Sequence, residues 1–223
     1  MLRLASALFC VIAGAVLYGA IHVQAVADAE LRVLEGFMGL PGKAYAFDLV
    51  SMFNPAPFAV LSFSLVAGAL IARRPRAAVA ALVTMLGAGV TTQVLKPLLS
   101  FQRDFPEFHY MGPVAYPSGH TTAVMSLALA LIIVSPARLR PLAAAGGGLL
   151  TVATVFSILV LGSHYPSDIV GGLLVATAWA CAASALLRLE LKPSLSGAAL
   201  GAFVLAAHAH AVATSRPPTM SLG

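Results

Sequence analysis

Residues 142–187, LAAAGGGLLTVATVFSILVLGSHYPSDIVGGLLVATAWACAASALL, decide the fold. Two apolar runs, Leu142 to Gly162 and Ser167 to about Leu187, flank a short polar turn. Each has the roughly 20 predominantly apolar residues that a helix needs to cross the hydrocarbon core of a bilayer. Working outward, the same measure picks out Ser118 to Val134, Ala77 to about Leu95, Ala56 to Ala72 and Leu4 to about Ala27. The last of these follows Arg3 and ends near a small-residue stretch, as a signal peptide does, but it is long for one and further spans follow. A weaker run, Leu195 to Ala213, carries His208 and His210. The expected fold is all-α: a polytopic transmembrane helical bundle of six spans with a candidate seventh near the C-terminus. It forms one domain over residues 1–223, with its motif-bearing core at about 77–188.

Composition agrees. Of 223 residues, 60% are hydrophobic and only 9% charged, and the mean hydropathy is +0.93. Soluble domains carry about 25% charged residues, so a soluble globular domain and a disordered chain are both excluded. The net charge of +5 suggests a polyanion partner, but the 13 basic residues are scattered among apolar runs, which argues against nucleic acid. Cys10 and Cys181 both lie in apolar runs, so neither a disulfide framework nor a cysteine metal site is expected.

Basic residues in short loops set the orientation. With the N-terminus inside, Arg3, Arg73, Arg74, Arg76, Arg138, Arg140, Arg188 and Lys192 fall on the inner face, and only Glu190 of the acids joins them. The loops after the first, third and fifth spans then face outward. This implies a multi-pass protein of a plasma membrane, the inner membrane of a bacterium, with its polar site on the outer face. Between the first two spans, Asp28 to about Pro55 places Leu31, Val33, Leu34, Phe37 and Met38 at helix-like spacing. This reads as an amphipathic helix in the interface or an ordered loop.

Ionisable groups beside spans are functional candidates, and they fall in three clusters. The third span ends in LKPLLSFQRDFP, where Lys96 and Arg103 stand seven residues apart. That is about two helical turns, so both cations lie along one face if the helix continues past Pro97. The alternative is a pair of cations reaching the headgroups. At the mouth of the fourth span, AYPSGHTTAV offers Ser118 as an N-cap, with Gly119 and His120 presenting free amides to an anion. Plain capping beside an interfacial histidine is the other reading.

The third cluster is LGSHYPSDIVGG. Pro166 disfavours helical geometry at Tyr165, and Asp168 follows His164 by four residues, close enough to hold its ring. A carboxylate on one imidazole nitrogen fixes the tautomer and makes the other a better nucleophile or base. Alternatively, Asp168 serves the helix dipole. Two spans separate His120 from His164, so both return to one membrane face, where Lys96 and Arg103 also lie. Cations and amides suit a phosphoryl group, and paired histidines supply a nucleophile and a general acid. His22, His109 and Trp179 are read as structural.

Lys96 with six residues before Arg103, then Pro117-Ser118-Gly119-His120, then Ser157 followed by His164 and Asp168, resembles the three-part signature of the type 2 phosphatidic acid phosphatase family. These are integral-membrane lipid phosphate phosphatases related to vanadium haloperoxidases. The family pattern is KxxxxxxRP, PSGH and SRxxxxxHxxxD, usually on six helices. The resemblance implies that His164 attacks phosphorus to form a phosphohistidine and that Asp168 orients it. It further implies that His120 protonates the leaving group and later activates water, while Lys96, Arg103 and the amides around Ser118 and Gly119 hold the phosphate. It implies no metal and no other cofactor. Two positions depart from the pattern: Asp104 replaces a proline, and Ile158 replaces the arginine of the third motif. Losing one charge-assisted contact costs roughly 1.5–3 kcal/mol.

The expected activity is metal-independent hydrolysis of a membrane lipid phosphate. Polyprenyl diphosphate, phosphatidylglycerol phosphate, phosphatidic acid and phosphorylated lipid A are the candidate substrates. A phosphotransferase to a lipid acceptor is the alternative within the same chemistry. A noncatalytic lipid-phosphate binder is the alternative that Ile158 suggests. The expected partners are the lipid substrate and the bilayer, with no nucleic acid; the oligomeric state is not legible.

Overall fold

In a layer without water, backbone amides and carbonyls must satisfy one another, and a helix does so within one segment. The computed structural model describes residues 1–99, 101 and 116–187, and over these it is all-helical. Eight α-helices are described: α1 (Leu2–Ala20), α2 (Gln24–Met38), α3 (Lys43–Ser51), α4 (Pro55–Ile71), α5 (Pro75–Leu98), α6 (Gly119–Val134), α7 (Arg140–Val160) and α8 (Pro166–Leu186). A short 3-10 turn, Ala137–Leu139, leads into α7. Proline stands in the first turn of α4, α5, α7 and α8, where its missing N–H is not needed. The chain divides into the unit Met1–Leu191, which contains all these helices, and Lys192–Gly223. The candidate seventh run, with His208 and His210, lies outside the described residues.

Each of the six expected runs carries a helix, with shifted ends. The first stops at Ala20, because Val23 is extended (φ −85°, ψ 121°) and the rest of the run begins α2. Among the described residues, four segments are long and apolar enough to cross a membrane: α1, α5, α7 with its leading turn, and α8. Helices α3 and α4 reach that length only together, bent by 53°. Helix α6 has 16 residues, about 24 Å of rise, which is short of the roughly 30 Å hydrocarbon core.

Helices α6 and α8 occupy the middle: α8 packs on α1, α5 and α6, and α6 on α5, α7 and α8. Their contacts are made by small side chains. Ala77, Ala80, Ala180 and Ala183 form one buried cluster with Ile133, and Ala81 and Ala130 another with Met85. Small residues let helix backbones approach where hydrophobic exclusion from water is absent. Trp179 sits over Gly87 of α5 and donates from Nε1 to Thr91 Oγ1 at 2.9 Å, so it is a packing residue. The segment between the first two spans is helical, and its apolar stripe packs on the protein. Leu34 is fully buried with Val50, Ile158, Leu159, Tyr165 and Ile169, and Phe37 and Met38 pack against them.

Away from the histidine motifs, arginines close the other helix ends. Arg3 donates to the carbonyl of Ser184 at 3.0 Å, Arg74 to that of Val134, and Arg140 to that of Ser135 at 3.3 Å. Cations at helix C-termini meet the negative end of the dipole. All three belong to the set that charge topology assigns to the inner face.

Candidate active site

The turn between α7 and α8 is built for reversal. Gly162 takes a left-handed conformation (φ 66°), which costs glycine nothing and a branched residue much. Tyr165 is extended before Pro166, as the proline dictates. Asp168, fully buried, accepts from the Tyr165 amide at 3.0 Å through Oδ2, and the same oxygen lies 3.4 Å from His164 Nδ1. A proton on Nδ1 would be donated to the carboxylate, which leaves Nε2 outside that contact. The expected His164–Asp168 relation is present.

The second motif meets it through the backbone. Ser118 caps α6: its Oγ accepts from the Thr121 amide at 3.4 Å, and its own amide donates to the Asp168 carbonyl at 2.8 Å. With the Ser118 amide engaged there, the amides of Gly119 and His120 come next at this helix end, before the helical ladder begins at Thr122. Ser118 ties α6 to α8.

Lys96 completes the cluster. Helix α5 runs through Pro97 to Leu98, and the Lys96 ammonium stands 3.7 Å from the point where a Gly119 side chain would begin. Lys96 is within electrostatic reach of Asp168, and His120 is within reach of both His164 and Lys96. The structure thus brings Lys96, Ser118, Gly119, His120, His164 and Asp168 together. Arg103, Asp104 and His109 lie outside the described residues.

Three contributions escaped the sequence reading. Asn54, the N-cap of α4, places Oδ1 3.1 Å from His120 Nε2, holding that ring nitrogen as a donor. Glu30 of α2 accepts from the Ser167 amide at 2.6 Å, an acid at a helix N-terminus where the dipole favours it. Gly172 lets α6 and α8 touch: a Cβ there would stand 2.7 Å from the Ser118 carbonyl oxygen. Gly172→Ala is therefore expected to lower stability by about 1–3 kcal/mol, read as a fall in the thermal midpoint in detergent. The VGG sequence following Asp168 was the available signal for this close approach.

Ile158 is fully buried in the apolar cluster with Leu34, Val50 and Tyr165. The position that carries arginine in the family pattern is here part of the core beneath α2. Ile158→Arg is accordingly expected to destabilise the protein by roughly 3–5 kcal/mol, because an unpaired guanidinium would be buried. A variant that melts like the parent and binds phosphate better would contradict that expectation.

The model of the PAP2 superfamily matches residues 77–191, the stretch carrying all three motifs. Among solved structures, the chain is similar to "the first transmembrane PAP2 type phosphatidylglycerolphosphate phosphatase from Bacillus subtilis". The TM-score is 0.71 at 16% identity, over 85% of this chain and 99% of that one. At that identity the likeness is one of fold. No curated protein matches the chain in sequence.

Proposed function

Because the chain belongs to the PAP2 superfamily, we propose that it is an integral-membrane lipid phosphate phosphatase acting through a phosphohistidine. The observation that carries this reading is the convergence of Lys96 and the Gly119 helix terminus on the His164–Asp168 pair. Positive charge and backbone amides hold a phosphoryl group, and phosphoryl transfer depends mainly on such positioning and charge stabilisation. His164 Nε2 attacks phosphorus as the bond to the leaving oxygen breaks, and His120 gives that oxygen its proton. His120 then takes a proton from water, whose oxygen attacks phosphorus and breaks the P–N bond. Inorganic phosphate leaves and His164 is restored.

Asp168 holds the ring and compensates the charge that develops on it. Asn54 fixes the orientation of His120, and the family pattern gives Arg103 the same phosphate-holding role as Lys96. The proposal includes no metal. The distribution of arginines supports an inner face at Arg3, Arg74 and Arg140, and hence a site on the outer face of a plasma membrane.

The test is phosphate release by the purified protein from undecaprenyl diphosphate, phosphatidic acid and phosphatidylglycerol phosphate, with His164→Ala as control. Release that disappears in the variant establishes the enzyme and ranks the lipids. Release from none of them overturns the hydrolase and favours the binder that Ile158 suggests. In the same assay Asn54→Ala is expected to lower kcat about tenfold with little change in KM, since it loosens the proton donor without touching the phosphate site.

A further inference from the structure

A cavity of about 430 Å³ lies between α1, α5 and α8, lined by Gly14, Leu95, Leu99, Tyr116, Ala178 and Trp179 among others. Sites that hold small molecules begin at about 300 Å³. Of its aromatic polar groups, two are engaged in the walls: Tyr116 donates to the Gly14 carbonyl at 2.9 Å, and Trp179 Nε1 to Thr91. The space is faced mostly by hydrocarbon, and apolar cavities do not hold water.

The cavity shares its walls with the phosphate cradle. Leu95 and Leu99 bracket Lys96 on α5. Tyr116 leads through Pro117 into Ser118, and its ring packs where a side chain at Gly171 would begin, three residues after Asp168. At the end beside Tyr116 stand other rings: Tyr18 is 5.5 Å from Tyr116, and His22 stacks on Phe101 at 4.3 Å. Such amphipathic rings concentrate where a bilayer's headgroups meet its hydrocarbon.

We propose that this cavity seats the hydrocarbon chain of the substrate: a lipid phosphate binds with its headgroup at Lys96 and Gly119 and one chain lying between α1, α5 and α8. The proposal rests on the lipid phosphate reading of the site and adds where chain length is sensed. Ala178 and Gly14 keep the space open, and Trp179 lies along it. A phosphate ester without a long chain forgoes that burial.

Trp179 is the only tryptophan of the chain, which gives a direct test independent of turnover. A long-chain alkyl phosphonate brominated at mid-chain, which cannot be hydrolysed, is titrated into the intact protein in detergent. The brominated alcohol of the same chain serves as comparison. Saturable quenching of Trp179 by the phosphonate, with only unsaturable background from the alcohol, is the expected result. Lys96→Ala should raise the midpoint concentration by removing the headgroup contact. Ala178→Phe should raise it roughly tenfold, because the ring displaces a few methylenes of the chain; Ala15→Phe plugs the α1 wall if the first variant does not fold.

Equal quenching by phosphonate and alcohol would mean that ordinary bilayer chains occupy the space and would overturn the proposal. A midpoint unmoved by a folded plug variant would place the chain elsewhere and do the same. Failure of the phosphatase reading shows separately, as absent phosphate release, and leaves phosphonate-dependent quenching intact.

Discussion

Replacing His164 with alanine is expected to reduce phosphate release to background, a loss of at least about a thousandfold. Nothing else among the described residues combines a ring nitrogen, a buried carboxylate partner and a neighbouring cation in this way. The substitution removes the atom that would bond to phosphorus, so binding should survive while turnover does not. His164 is 8% exposed and, among the described residues, its ring bonds along its own turn to Asp168, so the variant should fold and elute as the parent does. A further readout is covalent: acid quenching of the wild-type protein with radiolabelled lipid phosphate should trap label on the chain, and His164→Ala should trap none. Label retained by the variant would move the nucleophile to another residue.

Asp168→Asn should cost nearly as much, about a hundredfold to ten-thousandfold in kcat, for a different reason. The amide oxygen of asparagine can still accept from the Tyr165 amide, so the start of α8 is preserved. That oxygen would still face His164 Nδ1, because Oδ2 serves both donors, but as a neutral acceptor it would hold the ring more weakly. The substitution also withdraws the negative charge that stabilises the ring once phosphorus is attached. Asp168→Ala should add a structural defect, because it frees the Tyr165 amide inside the protein. The comparison separates the two duties: equal thermal midpoints for Asn and wild type with unequal activity assign the loss to chemistry, whereas a shared fall in both would assign it to the fold.

The spans were legible because a bilayer demands length and apolarity, and both can be counted. What could not be counted were short or mixed elements. Helix α2 reads as interfacial by its stripe, yet Leu34 finds its place against Ile158 and Tyr165, residues far along the chain. The break near Val23 follows Gly19, but a lone glycine in an apolar run does not by itself mark a helix end, so the sequence extends the first span past Ala20. At the site, the four-residue spacing of His164 and Asp168 is local, and the sequence carries it. The contacts from Glu30 to Ser167 and from Asn54 to His120 join residues 137 and 66 positions apart, and no local pattern encodes them. Ile158 shows the limit most clearly. Read along the chain it is a missing cation; read in space it completes a hydrophobic cluster.

The clasp between Arg3 and Ser184 joins the first described helix to the last, across 181 positions, and Tyr116 reaches back 102 positions to Gly14. A chain emerging vectorially from the ribosome cannot make either contact early. Helix α1 must wait in the lipid, its main partner not yet synthesised, while α2 to α7 follow it. Only the arrival of α8 lets α1 dock, and the same helix delivers Asp168 to His164. Assembly of the bundle and assembly of the reactive pair thus end in one event, so a nascent protein halted before α8 would be both unlatched and inert.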